Sequence, residues 1–97
     1  MERISIMETG IELIAKERQR QIDKEGWTSE HDDRENQNFQ LSLAACSYLN
    51  ASNSELANRF WPWDWRFWKP DTHLRNLIKA GALIAAEIDR LQRKNSL

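Results

Sequence analysis

Residues 60–70 read Phe-Trp-Pro-Trp-Asp-Trp-Arg-Phe-Trp-Lys-Pro, with six large aromatics in nine positions and a proline at 62 and at 70. Proline fixes φ, removes a backbone donor and disfavours the helical region for the residue before it, so no continuous helix runs through this segment. The six rings cannot all enter one core. Each offers roughly 150–250 Å² to bury, and a chain of 97 residues hides only about two-thirds of its unfolded surface. The segment is expected to be an irregular lid that closes an apolar core. Surplus rings are left for the surface, for a subunit or partner interface, or for stacking on a ligand. Arg66 and Lys69 beside flat rings suit the stacking of heterocycles and the holding of phosphates.

On either side of this segment the apolar residues keep helical spacing, and the expected fold class is all-α. Three main helices are predicted, at about residues 10–25, 38–51 and 72–94, in a single domain spanning 1–97, with 1–8 as a flexible or extended arm. The first helix opens on a capping box, Thr9 with Glu12, carries Ile11, Ile14, Ala15, Arg18 and Ile22 at helical intervals, and stops at Gly26. Trp27 to Asn38 shows no period and reads as a polar loop. Leu41, Ala44, Ala45, Tyr48 and Leu49 mark the second helix, and residues 54–59 suggest one further helical turn. The third helix takes Asp71 as N-cap and presents the stripe Leu74, Leu77, Ile78, Gly81, Ile84, Ala85, Ile88 and Leu91 to the core. Gly81 costs about 1 kcal/mol inside a helix, which is offset if another helix or a ligand approaches closely there.

Charge and cysteine content narrow the function classes. A net charge of −1 and a pI of 6.1 leave no global basic field to collect nucleic acid. The single Cys46 cannot form an internal disulfide, and a reducing, cytoplasmic setting is expected. Residues 1–7 are short and carry Glu2 and Arg3, unlike a secretory signal. No apolar run reaches membrane-spanning length, so no membrane partner is expected. Cys46 lies on the apolar side of the second helix and reads as a small core residue.

Several constellations could carry chemistry. Glu30-His31-Asp32-Asp33 has ligand types suited to a metal. It reads more simply as helix-capping acids, or as acidic groups that orient an arginine from the first or third helix. Arg75 and Lys79 lie one turn apart at the start of the third helix, where the helix terminus favours an anion, and Arg18 and Arg20 could add to them. Their bland reading is a solvated face. Glu87 and Asp89 do not share a helical face and read as surface charge. No nucleophile elbow, phosphate-binding glycine loop or cysteine pair is present, and no catalytic residue, metal or cofactor is assigned.

Three blocks also resemble a family of small proteins encoded in accessory regions of tailed bacteriophages and prophages. The first runs from Gln19-x-Gln21-Ile22 through Glu25-Gly26-Trp27-Thr28-x-Glu30-His31-Asp32-Asp33. The second is Trp61-Pro62-Trp63 with Trp68-Lys69-Pro70, and the third runs from Leu77 through Lys79-Ala80-Gly81-Ala82 to Arg90-Leu91. The resemblance covers most of residues 15–93 and implies a phage or prophage origin and action inside an infected bacterium, with no activity attached. Glu17-Arg18, Gly26-Trp27 and Asp32-Asp33 resemble, more weakly, the helical ryanodine-receptor repeat domain, which is associated with nucleotide-type ligands. That likeness lacks the Pro-rich stretch usual after the acidic pair. The all-alpha nucleoside triphosphate pyrophosphohydrolases need paired carboxylates on facing helices for Mg²⁺, and the second helix supplies none between Asn36 and Ser54.

The leading functional expectation is a non-enzymatic binding protein that sequesters a small anionic, nucleotide-like molecule and so counters host defence. Trp63, Trp65 and Trp68 would stack, Arg18, Arg75 and Lys79 would hold phosphates, and His31 or Asp33 would read a polar edge. The alternatives are an interaction module that inhibits a host protein through aromatic anchors and a metal-dependent nucleotide hydrolase. Surplus apolar surface also leads to an expected homo-oligomer.

Overall fold

The computed structural model describes residues 8–96; the expected arm at 1–8 lies, apart from Glu8, outside the described residues. The described chain is all-α, as its apolar spacing requires. The elements in order are α1 (Gly10–Glu25), α2 (Ser29–Glu35), α3 (Gln40–Leu49), α4 (Ser54–Phe60), a 3-10 turn (Trp65–Phe67) and α5 (His73–Asn95). There are thus five α-helices among the described residues rather than three.

α1 starts and stops where its caps dictate. Thr9 Oγ1 accepts from the Glu12 N–H at 3.2 Å, and the Glu12 carboxylate accepts from the Thr9 N–H at 3.3 Å. Gly26 ends the helix in the left-handed region at φ +75°, where the lack of a Cβ removes the penalty. The stretch 27–38, expected as a loop, contains α2. Thr28, rather than Asp32 or Asp33, caps it by accepting from the His31 N–H. α2 has no apolar period because polar bonds fix it: Asp32 is fully buried against Arg18, and Asp33 pairs with Arg93 of α5.

α3 is shorter than the expected 38–51. It begins after Phe39, whose φ is +66° and whose side chain makes no cap, and it ends where Asn50 bonds back to the Cys46 carbonyl. Asn53 caps α4 by accepting from the Leu56 N–H, so the turn expected at 54–59 is a full helix. The buried Ser47 hydroxyl donates to the Ala57 carbonyl at 2.8 Å and ties α4 to α3. The N-cap of α5 is Thr72, which accepts from the Arg75 N–H. Asp71, the expected cap, instead accepts from the Thr72 N–H while Asn76 bonds to its main chain at both N–H and carbonyl.

The core lies where α3 crosses α5. Leu41, Ala44, Ala45 and Tyr48 meet Ala80, Leu83 and Ala86, and Trp61 closes the cluster with Trp27, Trp63 and Trp68 packed around it. The expected core stripe of α5 needs correction. Of its large side chains only Ile78 is buried, while Leu74, Leu77, Ile84, Ile88 and Leu91 are 42–51% exposed. The buried arc is built from alanines, Leu83, Asn76, Glu87 and Arg90. A periodicity reading weights leucine and isoleucine above alanine, so it picks the face with the larger side chains rather than the alanine-rich face that α3 covers. Gly81 does serve close approach: a Cβ there would stand 2.6 Å from Ile14 Cδ1.

Candidate functional site

The tryptophans form one connected ring assembly. Trp61 is its hub, standing edge-on to Trp63 at 5.3 Å between centroids and edge-on to Tyr48 at 5.5 Å. Trp63 continues to Trp27 at 5.3 Å, tilted by 45°. Trp65 meets Trp68 at right angles at 5.0 Å, and Trp68 lies nearly parallel to Tyr48. The Trp61 indole N–H donates to the Asp64 carbonyl, and the Tyr48 hydroxyl accepts from the Lys69 N–H at 3.1 Å. The first bond folds the irregular segment on itself, and the second ties it to α3. The expected lid therefore exists, with Trp65 and Phe67 left 47% and 44% exposed.

Two cavities adjoin beneath and beside this lid, sharing Glu25, Trp27 and Phe67 as a common wall. The first, about 480 Å³, is faced by Trp27, Trp63, His31, Asn36 and Gln40. Asn36 is 1% exposed and donates to Asp32 Oδ1 at 3.0 Å, while its Oδ1 is buried without a partner. His31 Nδ1 is likewise buried without a partner, 3.6 Å from Asp32 Oδ1 and just beyond hydrogen-bond range. Buried polar atoms are nearly always satisfied, so two such atoms beside an aromatic wall make this the most chemically distinctive cavity of the fold.

The second cavity, about 190 Å³, is charged. Arg20, Lys69, Arg75 and Lys79 line it together with Glu17, Glu25 and Asp71. Glu17 is its organising group, accepting from Arg20 Nη2 at 2.9 Å and from Arg75 Nη2 at 2.9 Å. Burial opposes the Glu17 charge, but the hydrogen bonds and charges of the two arginines outweigh it and hold the carboxyl below its ordinary range. Gln21, 2% exposed, donates to Glu17 and leaves its own Oε1 unpartnered. Lys79 donates to the Lys69 carbonyl and stands 5.5 Å from the Tyr48 ring centre. Its pKa is lowered, chiefly by burial. Lys69 is the least committed cation, 4.0 Å from Glu25 with a side chain 63% exposed.

The eight residues singled out in the sequence fall in different places. Trp63 and His31 face the aromatic cavity, and Arg75 and Lys79 line the charged one. Trp65 and Trp68 stack within the ring assembly beyond it. Arg18 is turned inward, donating to the Trp27 carbonyl at 3.0 Å and to Asp32 at 3.1 Å. Asp32 carries a raised pKa, because burial outweighs its Asn36 bond and the nearby Arg18 charge. Asp33 is held by Arg93 at 2.7 Å beside an open groove of about 1010 Å³ along the end of α5. Both acids thus orient arginines, one from each end of the chain. Sequence reasoning passed over Trp27, Asn36, Gln21 and Glu17 as site residues. Gly26-Trp27 stood out only as part of a motif, and a buried amide leaves no mark on a periodicity pattern.

Among the described residues no three His, Cys, Asp or Glu side chains converge as metal ligands, and no helix is long and apolar enough to cross a membrane. No family model, curated protein or solved structure matches this chain.

Proposed function

We propose that this chain binds a small anionic, nucleotide-like molecule and performs no chemistry on it. One observation carries this reading: a cavity with tryptophan walls and two unpartnered polar atoms opens beside a cavity rich in cations, across the shared wall of Trp27 and Phe67. A planar heterocycle suits the first cavity. Stacking on Trp27 or Trp63 contributes about 1–3 kcal/mol per base, with Asn36 and His31 reading its edge. The anionic group suits the second, where it would displace Glu25 from Lys69 and Arg20. In an infected bacterium, the setting the phage resemblance implies, such binding would withdraw a signalling nucleotide from a host defence.

The test is thermal unfolding against mono-, di- and cyclic nucleotides, followed by titration of the best ligand. A ligand at a hundred times its Kd adds about 2.7 kcal/mol, which for a domain this size raises Tm by roughly 10 °C or more. Trp63→Ala and Lys69→Glu should each weaken binding roughly tenfold or more, with no turnover of the ligand. A panel that leaves Tm unchanged would reject this reading. It would then favour a protein partner for the exposed Trp65 and Phe67, where Arg66 lies 5.2 Å from the Phe67 ring centre.

A further inference from the structure

The outward face of α5 carries Leu74, Leu77, Gly81, Ile84, Ile88 and Leu91. Their spacings alternate three and four, the a/d repeat of a helix that packs along another helix. An isolated amphipathic helix of a small protein turns such a stripe inward, yet here the five large side chains are 42–51% exposed, and Ile11 of α1 is 82% exposed. None of the seam positions is charged. At its centre Ile14 of α1 rests on Gly81, so the stripe stays apolar along its whole length.

We infer that this seam is the two-fold interface of a homodimer, in which α5 packs antiparallel to α5 of a second copy. The spacing is palindromic: reversing the helix sets Leu74 against the partner's Leu91, Leu77 against the partner's Ile88, and Gly81 against the partner's Ile84. The partner's Ile84 then meets Ile14 of α1, which already covers Gly81, whereas a parallel pair would set glycine on glycine. A parallel pair would also bring together the basic last turns, which carry Arg93 and Lys94, and align the helix dipoles. A self-complementary patch closes under two-fold symmetry. The exposed parts of the five α5 residues and Ile11 amount to roughly 500 Å² per copy, so a pair hides about 1,000 Å², the size at which a specific interface begins.

Sedimentation equilibrium of the full chain from micromolar to millimolar concentration tests this directly. The expected result is a reversible dimer. Ile84→Glu and Ile88→Glu each weaken it by roughly thirtyfold or more, a loss of hot-spot size, while far-UV circular dichroism is unchanged and Ile84→Leu retains association. A monomer throughout, or a dimer equally tight in both glutamate variants, overturns the proposal. Register is read by disulfide trapping in a Cys46→Ala background. Leu77→Cys chains mixed with Ile88→Cys chains should form the mixed disulfide, and trapping of each variant only with itself would overturn the antiparallel arrangement.

Discussion

Glu17 shows how a single buried acid can organise a surface of opposite charge. Its side chain is 1% exposed and holds Arg20 and Arg75, which anchors α1 to the start of α5. Removing one partner of a buried pair costs about 3–5 kcal/mol; because both arginines are partly exposed, Glu17→Gln should cost less, about 2 kcal/mol, and lower Tm by roughly 10 °C. The pH dependence follows from the lowered pKa of Glu17. Its contribution is complete above the unfolded value near 4.5 and is lost as pH falls through the depressed folded value. Asp32 has the opposite sign: its raised pKa means that protonation in acid relieves a cost. Urea unfolding between neutral and acid pH should therefore show a smaller acid loss in Glu17→Gln than in the wild type. An identical slope would show that Glu17 does not carry the acid sensitivity. Glu17, Gln21 and Asp32 were illegible as buried groups in the sequence, because an acid or amide on a helix reads as solvated until its partner is known. Arg18 is expected from the sequence to hold phosphate, and the acidic cluster also reads as orienting an arginine of the first or third helix; the second reading describes its pairing with Asp32 of α2.

α1 and α5 meet through a contact that the sequence did announce, a glycine in the middle of a long helix. Replacing Gly81 with alanine would gain about 1 kcal/mol of helix propensity, but the new Cβ would lie 2.6 Å from Ile14 Cδ1 and 2.9 Å from Cγ1. Overpacking of this kind costs about 1–3 kcal/mol, and a β-branched side chain has few rotamers with which to escape. Gly81→Ala should be net destabilising by about 1 kcal/mol. Combined with Ile14→Val, which removes Cδ1, it should recover most of that loss. Denaturant melts of the two single variants and the double variant check this, and strict additivity would mean that the helices shift apart instead. α2 shows where element-level reading fails. Its existence depends on Thr28, Arg18 and Arg93, one local and two distant, so no apolar repeat advertises it. Phe39 is a related case. A bulky residue at φ +66°, 71% exposed, stands where glycine or asparagine would be cheaper, and nothing in the structure explains the choice.

At the scale of the whole molecule, the aromatic segment joins α1, α3 and α5 into one unit. Trp61 touches the core, Tyr48 holds the Lys69 N–H, and Trp27 reaches Trp63 from the far side of Gly26. Tryptophan fluorescence and far-UV circular dichroism should accordingly report one coincident unfolding transition. Fluorescence changing first would mean that the lid opens independently of the helices. The sequence by itself determined the all-α class, the boundaries of α1 at its capping box and Gly26, the break at residues 60–70, and the close approach at Gly81. Caps, prolines and glycines act through their own backbone, so their effects are local and can be read in one dimension. Only the tertiary structure decided which face of α5 is inside, which cations are bound to buried acids, and that Trp27 rather than Trp65 shares a cavity with Trp63. Those outcomes depend on neighbours distant in the chain: alanines bury a face only because α3 comes close, and a charge is free or spent according to the carboxylate that folding brings to it.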